Sequence, residues 1–194
     1  SDEAHVIQID AMTHRLDPIF HTITGGALEH LIMGGIPREA TLLENLQQDF
    51  SNILDVHLSP GGVCRYHFIV KIDKQNDEQP KDIIMAAFGA HYDIKQVVVV
   101  DQDVDIHNPD QVQWAVSTRF QASRDLTVVE NVQGSKLDPS ADNGVTAKMG
   151  LDATAPLNSE AGEYTKIRVP GEDEVDLDDV LEKNPAAVLD QLIT

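Results

Sequence analysis

The stretch from residue 97 to residue 125, VVVVDQDVDIHNPDQVQWAVSTRFQASRD, constrains the fold more than any other part of the chain. Four consecutive valines show no polar alternation, which is the pattern of a parallel strand covered on both faces. Asp101, Asp103 and Asp105 follow at every second position. A helix is then predicted from Pro109. Asn108 suits its cap, proline is tolerated in its first turn, and Asp110 is favoured at the positive end of its dipole. Val112, Ala115, Val116 and Arg119 fall on one face of it. A strand, a loop and a covering helix are the repeating unit of α/β proteins.

The rest of the chain extends this pattern. HVIQID at 5–10 alternates and predicts an edge strand, and 13–35 predicts a long ordered loop. A helix follows with Pro37 in its first turn and Leu43, Leu46 and Phe50 on one face. Strands are expected at 53–58 and 65–72, joined through Ser59-Pro60-Gly61-Gly62. Pro80 opens a helix to about His91, with Ile84, Ala87, Phe88 and His91 on one face, and 126–130 is expected as a last strand. The order α-β-β-α-β-α-β predicts an α/β fold: a mixed, largely parallel sheet with helices packed on it, plus an extended C-terminal arm. The expected divisions are an opening strand and loop over 1–25, the α/β domain over 26–152, and an acidic arm over 153–194 with short helices at 177–181 and 185–193.

Charge narrows the possible partners. The formal net charge is −19, and Glu172, Asp173, Glu174, Asp176, Asp178, Asp179 and Glu182 concentrate part of it in the arm, read as a solvated segment. Such a surface repels phosphate backbones, so no nucleic-acid partner is expected. No apolar run approaches the roughly 18 residues of a membrane span, and no basic, apolar leader opens the sequence. Cys64 is the only cysteine, so no internal disulfide forms, and a cytoplasmic setting is expected. The start at Ser1 rather than Met suggests a piece of a longer protein.

The motifs offer little chemistry by themselves. Alternate aspartates open a calcium loop, but the sixth position here is Ile106 rather than Gly and the twelfth is Val112 rather than Glu. The favoured reading is that these carboxylates cap backbone N–H groups or pair with Arg119 and Arg124. None of the eight histidines stands in a His-x-x-x-His or His-Glu-x-x-His pair. His57 and His67 lie on adjacent strands and are able to face each other, but strand histidines are more often ordinary surface or core residues, so no metal ligands are assigned. Gly25-Gly26 and Gly34-Gly35 make neither a dinucleotide motif nor a P-loop; Gly34-Gly35 before a helix is able to offer N–H groups to an anion, but plain loop geometry is the favoured reading. Cys64 shows no electropositive setting, and no Gly-x-Ser-x-Gly elbow is present. Read alone, the residues show no active site.

Several blocks in one order carry a resemblance. They are Thr13-His14-Arg15 with Asp17-Pro18-Ile19, GGIPREA at 34–40, VVVVDQDVDI, WAVSTR, Arg124-Asp125, GSKLDPS at 134–140 and AKMGLDAT at 147–154. Together they resemble the C-terminal domain of the UbiD-like, prenylated-FMN-dependent carboxy-lyases, in the bacterial aromatic-acid decarboxylase branch.

The resemblance implies reversible, non-oxidative decarboxylation of small aromatic or α,β-unsaturated acids. Prenylated FMN serves there as an electron sink, and a divalent metal (Mn or Mg) and potassium bridge its phosphate to protein. The family's Glu-Arg-Glu set and metal ligands precede the Thr-His-Arg block. No catalytic residue and no metal ligand is therefore assigned in this chain, and no cofactor is expected on it alone. Leu137 matches the family's leucine that closes over flavin and substrate. The family's phosphate-contacting lysine has no counterpart in Gly89-Ala90-His91, which leaves His91 and Lys95 as candidate cofactor-binding residues. The implied partners are the N-terminal flavin-binding domain of the same enzyme and further copies in a homodimer or larger homo-oligomer. Three readings stay open: the C-terminal, oligomerising and active-site-closing domain of a decarboxylase, the small subunit of a split decarboxylase, and a non-catalytic assembly module.

Overall fold

The computed structural model describes residues 5–160, 162–167, 169 and 171. The chain divides into two compact units, Ser1–Thr154 and Ala155–Thr194. In the first, the elements run α1 (Leu28–Gln47), β1 (Ile53–Leu58), a 3-10 turn (Pro60–Gly62), β2 (His67–Ile72), α2 (Gln79–Ala90), β3 (Gln96–Asp101), α3 (Pro109–Arg119), α4 (Ala122–Asp125), β4 (Leu126–Gln133) and β5 (Val145–Ala153). The sheet order is β1-β2-β3-β5-β4. β2, β3 and β5 are mutually parallel at the centre, and β1 and β4 pair antiparallel at the two edges.

The valine run behaves as its composition requires. Val97 and Val99 join a core with Leu42, Leu46, Phe68, Ile83, Ile84 and Ala87 under α1 and α2. Val98 and Val100 face the other way, into a core with Ile69, Val112, Ala115 and Leu151 under α3. Side chains alternate across a strand, so a strand with a core on both sides must be apolar at every position. Asn108 caps α3 as expected, its Oδ1 accepting from the N–H groups of Asp110 and Gln111.

Four expectations are corrected. Residues 5–10 form no strand and are exposed. The region 13–35 is not loop throughout, because α1 begins at Leu28 and encloses Gly34, Gly35 and Pro37. Gly35 explains why: a Cβ there would lie 2.8 Å from the Cβ of Cys64, so the helix passes the β1–β2 connection at a distance only glycine allows. This packing overrides the local breaking tendency of Gly-Gly and Pro. The N–H groups of Gly34 and Gly35 consequently lie within a helix rather than at its start, which removes them as an anion site. The last strand is not 126–130. β4 continues to Gln133 and is followed by β5, which inserts between β3 and β4. The expected helices at 177–181 and 185–193 lie outside the described residues, as does the acidic run from Glu172. Among the described residues, no helix is long and apolar enough to cross a membrane.

β5 owes its place to Gly150. A Cβ at this position would meet Ile84 Cγ2 at 2.2 Å, and Ile84 is fully buried beneath α2. Gly150→Ala should therefore lower stability by about 1–3 kcal/mol through overpacking. Urea unfolding of wild type and variant measures this, and an unchanged midpoint would mean that Ile84 moves aside freely.

Candidate functional site

The loop 134–144 joins β4 to β5, and it presents Leu137 to solvent at 71% exposure. Its base is well fixed. Asp138 is buried and accepts from Lys95 Nζ at 2.6 Å, and also from the backbone N–H and the hydroxyl of Ser140. Lys95 also donates to Ser140 Oγ. The loop thus has a rigid foot and an exposed apolar tip. A cavity of about 360 Å³ lies beside it, with Arg65, Tyr92, Asp93, Lys136 and Leu137 among its walls.

Lys95 faces inward to this foot, so its charge is already matched by a carboxylate. Burial pushes the Asp138 carboxyl upward, but the hydrogen bonds from Lys95 and Ser140 outweigh it and hold the pKa below the usual carboxylate range. A depressed folded pKa means stability that is present above the ordinary value and lost as pH falls through the folded one. Wild type should lose this contribution below about pH 4. Lys95→Met should be less stable at neutral pH and show a shallower acid dependence. Thermal melts of both proteins from pH 7 to pH 3 provide the comparison, and parallel curves would remove the linkage.

His91 closes α2. Its Nδ1 accepts from the N–H of Asp93 at 3.1 Å, and its ring stacks on Tyr92 at 5.0 Å. Burial and then the Arg38 charge lower its pKa, so the neutral imidazole is favoured. Next to it, Asp93 is only 3% exposed and faces two guanidiniums, Arg38 Nη1 at 3.6 Å and Arg65 Nη1 at 3.5 Å. Lys148 on β5 is 4% exposed, and its Nζ donates to the carbonyl of Tyr92 at 3.0 Å. Burial lowers the Lys148 pKa, with Asp93 opposing. Sequence reasoning missed Arg38, Arg65, Asp93 and Lys148. They come from α1, the turn before β2, the α2–β3 loop and β5, and no linear spacing links them.

The aspartate row is engaged by a buried arginine and by a backbone N–H group. Arg119 is 3% exposed, and its guanidinium donates to Asp101 Oδ2 at 2.7 Å and to both oxygens of Asp103 at 3.0 and 2.7 Å. Asp105 accepts from the N–H of His107. Arg124 pairs instead with its neighbour Asp125 at 3.2 Å. His57 and His67 both line a larger groove of about 900 Å³ between α3 and the 3-10 turn. His57 Nδ1 lies 2.9 Å from Glu39 and His67 Nδ1 lies 2.7 Å from the Ser59 hydroxyl, so each has its own partner. Burial and then the His57 charge lower the His67 pKa. Burial and Glu39 raise the Cys64 thiol, which suits an inert packed residue rather than a nucleophile. Among the described residues, no three His, Cys, Asp or Glu side chains come together to hold a metal. The divalent metal implied by the resemblance finds no ligand set among these described residues.

Residues 31–153 match the 3-octaprenyl-4-hydroxybenzoate carboxy-lyase C-terminal domain. The chain belongs to the UbiD family. Among curated relatives, the anhydromevalonate phosphate decarboxylase of Aeropyrum pernix is 45% identical over 86% of this chain and 38% of that protein. The gallate decarboxylase of Lactiplantibacillus plantarum is 32% identical over 79% of this chain and 34% of its own length. The solved UbiD-class enzyme HmfF from Pelotomaculum thermopropionicum, in complex with FMN, superposes with a TM-score of 0.83 at 46% identity, over 87% of this chain and 38% of that one. This chain is therefore a UbiD-family decarboxylase domain that spans well under half the length of these relatives.

Proposed function

We propose that this chain is the oligomerising and active-site-closing part of a reversible, non-oxidative decarboxylase of aromatic or α,β-unsaturated carboxylic acids. The observation that carries the closing role is the loop 134–144, with an apolar tip at Leu137 on a foot held by Lys95 and Asp138. A side chain that caps a pocket in one state only is exposed in the other. Vanillic acid decarboxylase of Sedimentibacter hydroxybenzoicus, 28% identical in one of its structures with a TM-score of 0.57, has been solved in closed and open forms. When bound, prenylated FMN supplies the electron sink for loss of carbon dioxide. Leu137 excludes water above it, and His91 at the end of α2 contacts the cofactor phosphate. The metal and potassium of the parent enzyme are held by sequence outside this chain.

A partner surface supports the same reading. Val6, Ile7, Leu16, Ile19, Phe20, Met33 and Ile36 are all exposed along residues 5–36. Apolar side chains in such density suit a covering protein surface rather than water. The flavin-binding region carried by the relatives, or a second copy of this chain, would cover it.

The test is decarboxylation of a panel of aromatic and unsaturated acids with prenylated FMN. The 194-residue chain should show no turnover alone, and turnover should appear when the flavin-binding region is restored. Turnover by the chain alone, or none after restoration, would sink this reading.

A further inference from the structure

Lys95 stands at the seam between the sheet and the loop 134–144. Its backbone is fixed on both sides, the N–H donating to the carbonyl of Tyr66 and the carbonyl accepting from the N–H of Met149, each at 2.9 Å. The side chain therefore leaves a backbone that belongs to the sheet. Its Nζ donates to Asp138 at 2.6 Å and to the Ser140 hydroxyl. Among the described residues, it is the only side chain outside the loop that hydrogen-bonds into it. The other bonds of the loop are local. Gly134 pairs with Gly144 and Asp142 with Val145 at the neck, Asp138 donates its N–H to the Ser135 carbonyl, and Ala141 donates to the Asp138 carbonyl. Such bonds shape a loop but leave it free to swing about its neck. A charge-assisted bond to a carboxylate beyond the neck fixes the remaining direction. Asp138 is that carboxylate, and Leu137 is the residue beside it.

We infer that Lys95 and Asp138 are positioning residues, whose link aims Leu137 at the place it caps when the active site closes, and that Lys95 is not a ligand of the cofactor. A lysine that left this bond to reach a cofactor would strand a carboxylate that is only 8% exposed, and a buried charge without its partner is strongly unfavourable. Misplacing a group by about 1 Å costs on the order of a hundredfold in rate where that group orders the reaction. Lys95 acts only through Leu137, so its removal costs no more than the removal of Leu137 itself. The effect on turnover rests on the function proposed above, whereas the link belongs to this chain whatever its reaction.

Two measurements test this. The first is hydrogen exchange on the 194-residue chain. The amides of Asp138, Ser140 and Ala141 find their acceptors in the foot and report on it. Lys95→Met should speed their exchange by about tenfold while β3 and β5 keep their protection. Asp138→Asn keeps the shape of the side chain and loses its charge, so it should give a smaller increase, and it replaces Lys95→Met if that variant does not fold. The second is steady-state kinetics of the holoenzyme at a temperature where every variant is folded. Lys95→Met should lower kcat by about tenfold without weakening FMN binding. Lys95→Arg should recover most of the loss. Once Leu137→Ala is present, Lys95→Met should cost nothing further, because residues acting through one position are not additive. Additive losses in the double variant, weakened FMN binding or unchanged loop exchange overturn the inference. Wild-type holoenzyme without turnover overturns instead the function proposed above, and the exchange result is read independently of it.

Discussion

Arg119→Met should destabilise the domain by about 3 kcal/mol, because removing one member of a buried ion pair strands the charge of the other. The methionine fills much of the same volume, so the loss reports charge and hydrogen bonding rather than a void. Arg119 holds Asp101, at the end of β3, to Asp103 in the loop that follows, and its guanidinium sits 4.9 Å from the Trp114 ring. Asp103 is half exposed and recovers solvation in the variant, which keeps the loss below that of a fully enclosed pair. Lys in place of Arg should rescue only part of it, because one ammonium cannot bridge two carboxylates in a planar fork. Chemical unfolding of the three proteins decides the matter. A loss under about 1 kcal/mol would class the triad with ordinary surface pairs.

Leu137→Ala should lower turnover of the assembled decarboxylase by about tenfold while leaving its melting temperature nearly unchanged. A buried leucine lost to alanine costs about 2–5 kcal/mol of stability, but Leu137 is 71% exposed in this chain and has little folding energy to lose. Its work would be done only in the closed state, where it excludes water from the reacting acid. Paired melts and steady-state kinetics on the holoenzyme separate the two roles. A fallen melting temperature with unchanged kcat would make Leu137 a packing residue.

What was legible in the sequence followed local periodicity. The valine run, the capped α3 and the apolar faces of α1 and α2 each announce themselves within a dozen residues and pack against a core, although α1 ends at Gln47 before Phe50 and α2 ends at Ala90 before His91. β5 does not, because Lys148 and Gly150 occupy interior positions where a strand pattern calls for apolar side chains. Lys148 is tolerated through the carbonyl of Tyr92, and Gly150 through the bulk of Ile84, and both partners are distant in sequence. The start of α1 was hidden for a similar reason, since only the closeness of Cys64 explains Gly35 inside a helix. Leu137, His91 and Lys95 were found through resemblance, whereas Asp93 and the three cations around it belong to four separate segments that only the folded sheet brings together.

The position of β5 has a consequence for how the chain becomes a domain. Among the described residues, β4 hydrogen-bonds to no strand but β5, and β5 is the last strand in sequence yet interior in the sheet. Until residues 145–153 have left the ribosome, β3 presents an open parallel edge and β4 has nothing to pair with. Strand pairing that spans about fifty residues, from β3 to β5, is slow relative to local helix formation. Completion of the sheet and construction of the loop bearing Leu137 are then a single late event. A chain ending before residue 145 would expose an unpaired apolar edge of the kind that recruits other chains, and it would be expected to aggregate rather than to persist as a smaller domain.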